Sequence, residues 1–227
     1  MPFHSTPATD ITEQLISVLT PQTTAAMTPQ LKLTYFNLPA RAELSRLVLT
    51  YGKIPFDDVR LTGPEWGALK PNTPLGKMPL LEVDGTIYCQ SMAIARYAAK
   101  LVGLYPEDPL KCLHVEMISE TLCELFDDCI AFHFQEKDET KKAEKTATFL
   151  QETLPHKLGM LTSMIQGEYF MESKVTFADI QLFDLFENVL SKFIPGFSAA
   201  PYSKLVAIVN RVQTNPEIAA YSAKHTS

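Results

Sequence analysis

The sequence predicts an α/β domain followed by an all-helical domain, and three observations carry that reading. A strand–helix–strand run opens the folded part of the chain. An Asp84-Gly85 hairpin signal sits between two further short strands. Beyond residue 109 the apolar residues recur at three- and four-residue steps, the period of a helix.

The elements follow in order. Residues 31–36, LKLTYF, read as a strand. Pro39 opens a helix to about Tyr51, with Leu44, Leu47, Val48 and Tyr51 on one face and Gly52 as the stop signal. FDDVRL at 56–61 is a second strand, and a strand–helix–strand unit demands a parallel pair. A short helical piece spans about Pro64 to Lys70, ended by Pro71 and Pro74. MPLLEV at 78–83 and TIYC at 86–89 form an antiparallel hairpin, and a helix starts near Gln90 with Ile94, Tyr97, Ala98 and Leu101 on its apolar face. GLYPEDP at 103–109 reads as a linker. Helices are then expected over 110–136, 140–166 and 176–193, with two shorter ones after Pro201 and Asn215-Pro216. This divides the chain into an extension (1–29), a first domain (30–104) and a helical domain (110–227).

Composition narrows the function. Of the 227 residues, 46% are hydrophobic and 20% charged, as in an ordinary globular protein. The net charge of -6 argues against a nucleic-acid partner, and no apolar run approaches the roughly 18 residues of a membrane span. Cys89, Cys112, Cys123 and Cys129 form no CxxC pair and no zinc spacing, so they read as free thiols. Residues 1–29 hold no Lys or Arg, which fits neither a secretory signal nor a transit peptide, so a cytoplasmic location is expected. The extension is rich in Thr and Pro and reads as a mobile arm, with Ile11, Leu15, Ile16 and Leu19 as one apolar patch.

Four blocks carry a family likeness: KLTYFNLPARAE at 32–43, PLGKMPLLEVDG at 74–85, QSMAIARYAAK at 90–100 and VTFADIQLFD at 175–184. Together they resemble the cytosolic glutathione transferases, most closely the sigma class, over about residues 31–224. The resemblance implies a thioredoxin-like first domain and a helical second domain contributing the electrophile pocket. It implies transfer of the glutathione thiol to small hydrophobic electrophiles. A glutathione-dependent isomerase of the prostaglandin D synthase type, or a non-catalytic binding or structural relative, are the alternatives. It also implies a homodimer, with glutathione as a co-substrate and no cofactor, metal, nucleic acid or membrane partner.

The resemblance assigns roles residue by residue. Tyr35 would donate a hydrogen bond to the glutathione sulfur; the plain alternative is a strand Tyr that packs. Arg41 would support the thiolate, or pair on the helix surface. Sigma members often carry Arg-Gly where this chain has Pro39-Ala40. Met78 and Pro79 would form a cis turn offering backbone to the cysteinyl unit, against an ordinary trans proline at a strand start. Gln90 and Ser91 would receive the γ-glutamyl carboxylate at a helix N-terminus, or serve only as a cap. Trp66 and Lys70 stand four apart and would hold the glycyl carboxylate, with Lys77 adding charge, unless Trp66 simply packs. Of Glu120 and Glu124, the latter is the better positional match for an acid that reaches the partner subunit's γ-glutamyl amine; a solvated helix face is the alternative. By residue type and not by the resemblance, Phe36, Leu38 and Phe134 would help line an apolar electrophile pocket. Thr176-Phe-Ala-Asp179 reads as a capping box, worth about 1–2 kcal/mol to folding.

Overall fold

A computed structural model describes residues 29–225; the expected mobile arm therefore lies, but for residue 29, outside the described residues. The first domain runs β1 (Leu31–Phe36), α1 (Ala40–Tyr51), β2 (Asp57–Leu61), α2 (Gly63–Leu69), β3 (Leu80–Val83), β4 (Thr86–Cys89) and α3 (Ser91–Leu101). The strand order is β2-β1-β3-β4, with β1 and β2 parallel and the other two pairs antiparallel. Leu31, Leu33, Thr34 and Tyr35 are all buried, because β1 is an inner strand covered on both faces. The sheet is the one that a right-handed crossover plus a hairpin must give.

Two details depart from the sequence pattern. β3 begins at Leu80 and not at Met78: the Met78–Pro79 peptide is cis, and pairing with β1 starts only after it. Pro71 does not end the helical piece, because Lys70–Asn72 continues it as a tight 3-10 turn. Gly52 does stop α1, but not by left-handed geometry, since its φ is -81°. A Cβ there would lie 2.0 Å from Val102 Cγ1, so glycine is required by the close approach of the chain after α3.

The helical domain runs α4 (Pro109–Ile130), α5 (Glu139–Thr148), α6 (Leu154–Ser163), α7 (Phe177–Asp184), α8 (Ser203–Gln213) and α9 (Pro216–His225). Asp108 caps α4 by accepting from the Lys111 N–H at 2.9 Å, with Pro109 in the first turn. Wide turns at Ala131–Gln135 and Phe149–Thr153 extend α4 and join α5 to α6. The charged α5 buries no residue, which fits its reading as a solvated face.

α7 is the axis of the domain: all eight of its residues are buried. It packs on α4, on α8 and on α1 of the first domain. The Phe177 N–H donates to the Leu104 carbonyl at 3.0 Å, and Tyr105 stacks on Phe177 with centroids 5.5 Å apart, so the linker is bound to the start of α7. No helix among the described residues is long and apolar enough to cross a membrane.

The capping box of α7 is present on both sides. Asp179, fully buried, accepts from the Thr176 N–H (2.7 Å), the Thr176 hydroxyl (2.8 Å) and also the Phe170 N–H (3.0 Å). The third bond raises the stakes beyond a simple cap, because two buried amides depend on one carboxylate. Asp179→Ala is expected to cost about 3 kcal/mol and to lower the Tm by about 10 °C in a calorimetric melt. An unchanged Tm would show that the carboxylate is dispensable.

Candidate active site

The sheet register gathers the predicted residues. Thr34 of β1 pairs with Leu80 of β3, and Leu80 pairs with Cys89 of β4. One step further along that row stand Tyr35, Pro79 and Gln90. On the other side Tyr35 pairs with Arg60, and β2 then leads into α2, which carries Trp66. One end of the sheet therefore collects the end of β1, the turn before β3, the start of α3 and the segment after β2. Open sheets commonly place their ligands at such an end.

Each predicted residue can be located there. Tyr35 is 8% exposed, with its ring in the core and Phe36 packed edge-on at 5.6 Å. Burial pushes its phenol above the ordinary value, while the Arg41 backbone amide and guanidinium, and then Arg46, act in the opposite sense. The residue is thus a phenol at neutral pH, a hydrogen-bond donor and not a base. Its oxygen lies at the first turn of α1. That turn is strained: Ala40 has φ 39°, a left-handed conformation that costs a residue with a Cβ roughly 1–2 kcal/mol.

Trp66 is half-buried on α2, whose start is closed by a Thr62–Glu65 capping box. Lys70 is exposed, and its Cε lies 3.6 Å from where a Cβ on Gly76 would be, so it runs beside the 76–78 segment that holds Lys77 and Met78. Gln90 is held at φ 79° and ψ 108°, a conformation costing a non-glycine residue about 1–3 kcal/mol, and its side chain makes no cap bond. Ser91 follows at the uncapped N-terminus of α3, where amides have no helical partner.

The remaining candidates have partners of their own. Leu38 serves the fold through its carbonyl, which accepts from Arg46 at 3.0 Å. Phe134 is exposed in the wide turn after α4, in an aromatic group with His133 and Phe193. Glu124 pairs with Lys157 at 2.9 Å. Arg41 is no surface partner of its own helix: it pairs with Asp127 of α4 at 3.0 Å and lies over the Phe126 ring, tying the two domains together.

Between the domains runs a groove of about 200 Å³ lined by Ala40, Arg41 and Leu44 of α1, Ser91 and Arg96 of α3, Glu120, Cys123 and Phe126 of α4, and Gln181, Asp184 and Leu185 at the end of α7. Tyr35, Phe36, Leu38 and Phe134 do not line it. Glu120 reaches it through an ion pair with Arg96, which also pairs with Glu116 at 2.9 Å. Burial pushes the Cys123 thiol up to about 11, so this cysteine is not a nucleophile at neutral pH.

Sequence reasoning missed Arg46, Asp127, Gln181 and Asp184. Arg46 is fully buried and donates to Glu43 (2.9 Å), Asp58 (3.0 Å) and the Leu38 carbonyl. The Tyr221 hydroxyl of α9 completes the cluster by donating to Glu43 at 2.9 Å. The available signal was a Glu-x-x-Arg pair set among Ala42, Leu44, Leu47, Val48 and Leu49, where a solvated pair has no room.

Comparison with known proteins accords with this geometry. Residues 31–100 match the family model described as glutathione S-transferase, N-terminal domain, and residues 124–225 match glutathione S-transferase, C-terminal domain. A hematopoietic prostaglandin D synthase from Gallus gallus is 35% identical over 198 residues, 86% of this chain and 96% of its own. A glutathione S-transferase from Anopheles gambiae is 36% identical over 203 residues, 86% and 97% of the two chains. A solved prostaglandin synthase D of Nilaparvata lugens superposes with a TM-score of 0.78 at 32% identity, covering 86% of this chain and 98% of its own.

The raised phenol gives a direct expectation. In an ultraviolet titration, the difference between wild type and Tyr35→Phe should show a phenolate midpoint above about pH 10. A phenolate that develops by about pH 9 would mean that burial does not dominate at residue 35.

Proposed function

The chain belongs to the glutathione S-transferase family, and on that premise we propose that it transfers the glutathione thiol to small hydrophobic electrophiles, with Tyr35 holding the sulfur as a thiolate. The observation that carries this reading is the meeting of Tyr35, Met78–Pro79 and Gln90–Ser91 at one end of the sheet. An extended tripeptide laid along the Met78 backbone would bring its cysteinyl sulfur beside residue 35. Its γ-glutamyl carboxylate would take the free amides at Ser91. Trp66, Lys70 and Lys77 would receive the glycyl carboxylate, as a cation and an indole N–H suit an anion.

The chemistry follows from the state of the phenol. A buried neutral hydroxyl donates to a thiolate more strongly than to a thiol, since bonds to an ion are roughly twice as strong. Lowering a thiol pKa of about 8.5 by two units needs roughly 2.7 kcal/mol of preferential stabilisation. The thiolate fraction at pH 7 then rises from about 3% to about 75%, while intrinsic nucleophilicity falls by a factor of roughly 8. The sulfur attacks the electrophilic carbon and displaces a leaving group or adds to a double bond. Arg41 supports the negative charge from the turn above Tyr35. Phe36, packed on the Tyr35 ring, offers apolar surface at the reacting end; Leu38 follows on the same turn, and Phe134 would contribute from the helical domain.

A second copy of the chain completes the assembly. Leu110, Leu113 and Met117 make an exposed apolar stripe on α4, and an apolar hollow lies at Tyr88, Ala93 and Tyr97. Both are surfaces that a homodimer would cover. Glu124 would then exchange Lys157 for the glutathione amine of the partner subunit. Four free thiols fit a cytoplasmic location. The relative from Gallus gallus is named a prostaglandin D synthase, which favours an isomerase as the second reading. The same thiolate would serve, and glutathione would be regenerated and not consumed.

Ultraviolet difference spectra of bound glutathione test the proposal. Wild type at pH 7 should show a thiolate band, and Tyr35→Phe should lose it by roughly 25-fold. Equal bands in both proteins would remove Tyr35 from the mechanism.

A further inference from the structure

An apolar hollow of about 320 Å³ lies on the first domain where the edge strand β4 meets α3. Leu81 and Ile94 form its buried floor, Val83 and Ala93 stand beside them, and Tyr88 on its rim is 52% exposed. No residue that lines it carries a charge at neutral pH. Such a surface is unfavourable in water and calls for an apolar cover.

The chain delivers a cover to that place. Gln30 is clamped to the β3–β4 turn: its N–H donates to the Asp84 carboxylate at 2.9 Å, and its carbonyl accepts from the Asp84 N–H at 3.1 Å. The next residue, Leu31, pairs with Val83, and Val83 lines the hollow. Everything N-terminal to Gln30 therefore leaves the body beside the hollow. That segment carries Ile11, Leu15, Ile16 and Leu19, spaced as one face of a helix. Residues 20–29 connect this stripe to the clamp, and ten residues reach roughly 33 Å at full extension. The stripe is thus within reach of a site that begins at the clamp.

The tether also decides which cover arrives first. A segment linked within reach of its site meets it at an effective concentration on the order of mM. A second copy at roughly µM concentration meets the same site about 1,000-fold less often. The second copy gains the α4 stripe of Leu110, Leu113 and Met117 as well, so it competes with the arm and is weakened, not barred.

We infer that residues 11–19 of the same chain occupy this hollow in the monomer, through Ile11, Leu15, Ile16 and Leu19, and that a second copy displaces them to form the homodimer. The docking is independent of the thiolate chemistry. Its effect on assembly rests on the homodimer reading above.

Two measurements on the full chain test it. Cys89 lines the hollow, so it reports on what lies there. Leu15→Cys, Ile16→Cys and Leu19→Cys are made singly and treated with diamide, which takes up both thiol hydrogens as the S–S bond forms. Because a disulfide needs Cα atoms within about 7 Å, docking should join the introduced thiol to Cys89 in the monomer band of at least one variant. Joining only to Cys112, joining to Cys89 only in the dimer band, or no joining in any of the three would overturn the docking. Sedimentation equilibrium then compares wild type with the double variant Leu15→Asp, Ile16→Asp. The added charges bar the arm from an apolar hollow and lie N-terminal to β1, so they spare both domains. The variant should dimerise roughly tenfold more tightly, since the hollow is no longer occupied. An equal or weaker dimer would overturn the competition. If neither protein dimerises, the homodimer reading and the competition fall together, and the diamide result decides the docking. Turnover of 1-chloro-2,4-dinitrobenzene by wild type decides the transferase reading separately.

Discussion

The site depends on one buried cation. Arg46 has no access to water and is held by two carboxylates and a backbone carbonyl. Taking a guanidinium out of water costs several kcal/mol unless its donors are all met. Each group that meets them is therefore fixed in place. Asp58 anchors β2, the Leu38 carbonyl anchors the turn between Tyr35 and Ala40, and Glu43 passes the constraint to Tyr221 on α9. The ring of Tyr35 lies 6.0 Å from the same guanidinium. The position of the phenol is thus set by a charge that touches no substrate.

Around that anchor the chain accepts local strain where ligand groups would approach. Ala40 and Gln90 both hold positive φ without being glycine, at 39° and 79°. Both stand at the start of a helix, and both helices begin without a side-chain cap. At α3 this leaves backbone amides available beside Ser91, whereas at α1 the Arg41 amide already donates to the Tyr35 hydroxyl. Residues remote from the sheet end, such as Asp108 and Asp138, cap their helices in the ordinary way.

Much of this was legible in the sequence. The strands, the helix order and the Thr176–Asp179 box could be read because period, turn residues and caps are local signals. The sheet-end residues were reached through motifs, and register explains why motifs so far apart in sequence converge. What stayed hidden was non-local. Nothing near Arg41 points to Asp127, which lies 86 residues away. Glu124 was favoured by position, yet its own-chain partner is Lys157, and Glu120 is the acid at the groove. Phe134 was chosen by residue type, and the wide turn after α4 sets it in an aromatic group with His133 and Phe193. Gln181 and Asp184 sit in a run so apolar that their polarity was the only hint of a lined space.

The bond between Tyr221 and Glu43 has a practical consequence. It joins the last ordered helix to the first, across 178 positions of sequence. The two halves of the molecule are consequently not exchangeable modules. A chain cut at the linker would strand the Glu43 carboxylate beside an arginine it only half satisfies. Chimeras between relatives should therefore carry α9 together with α1, whatever is swapped between them.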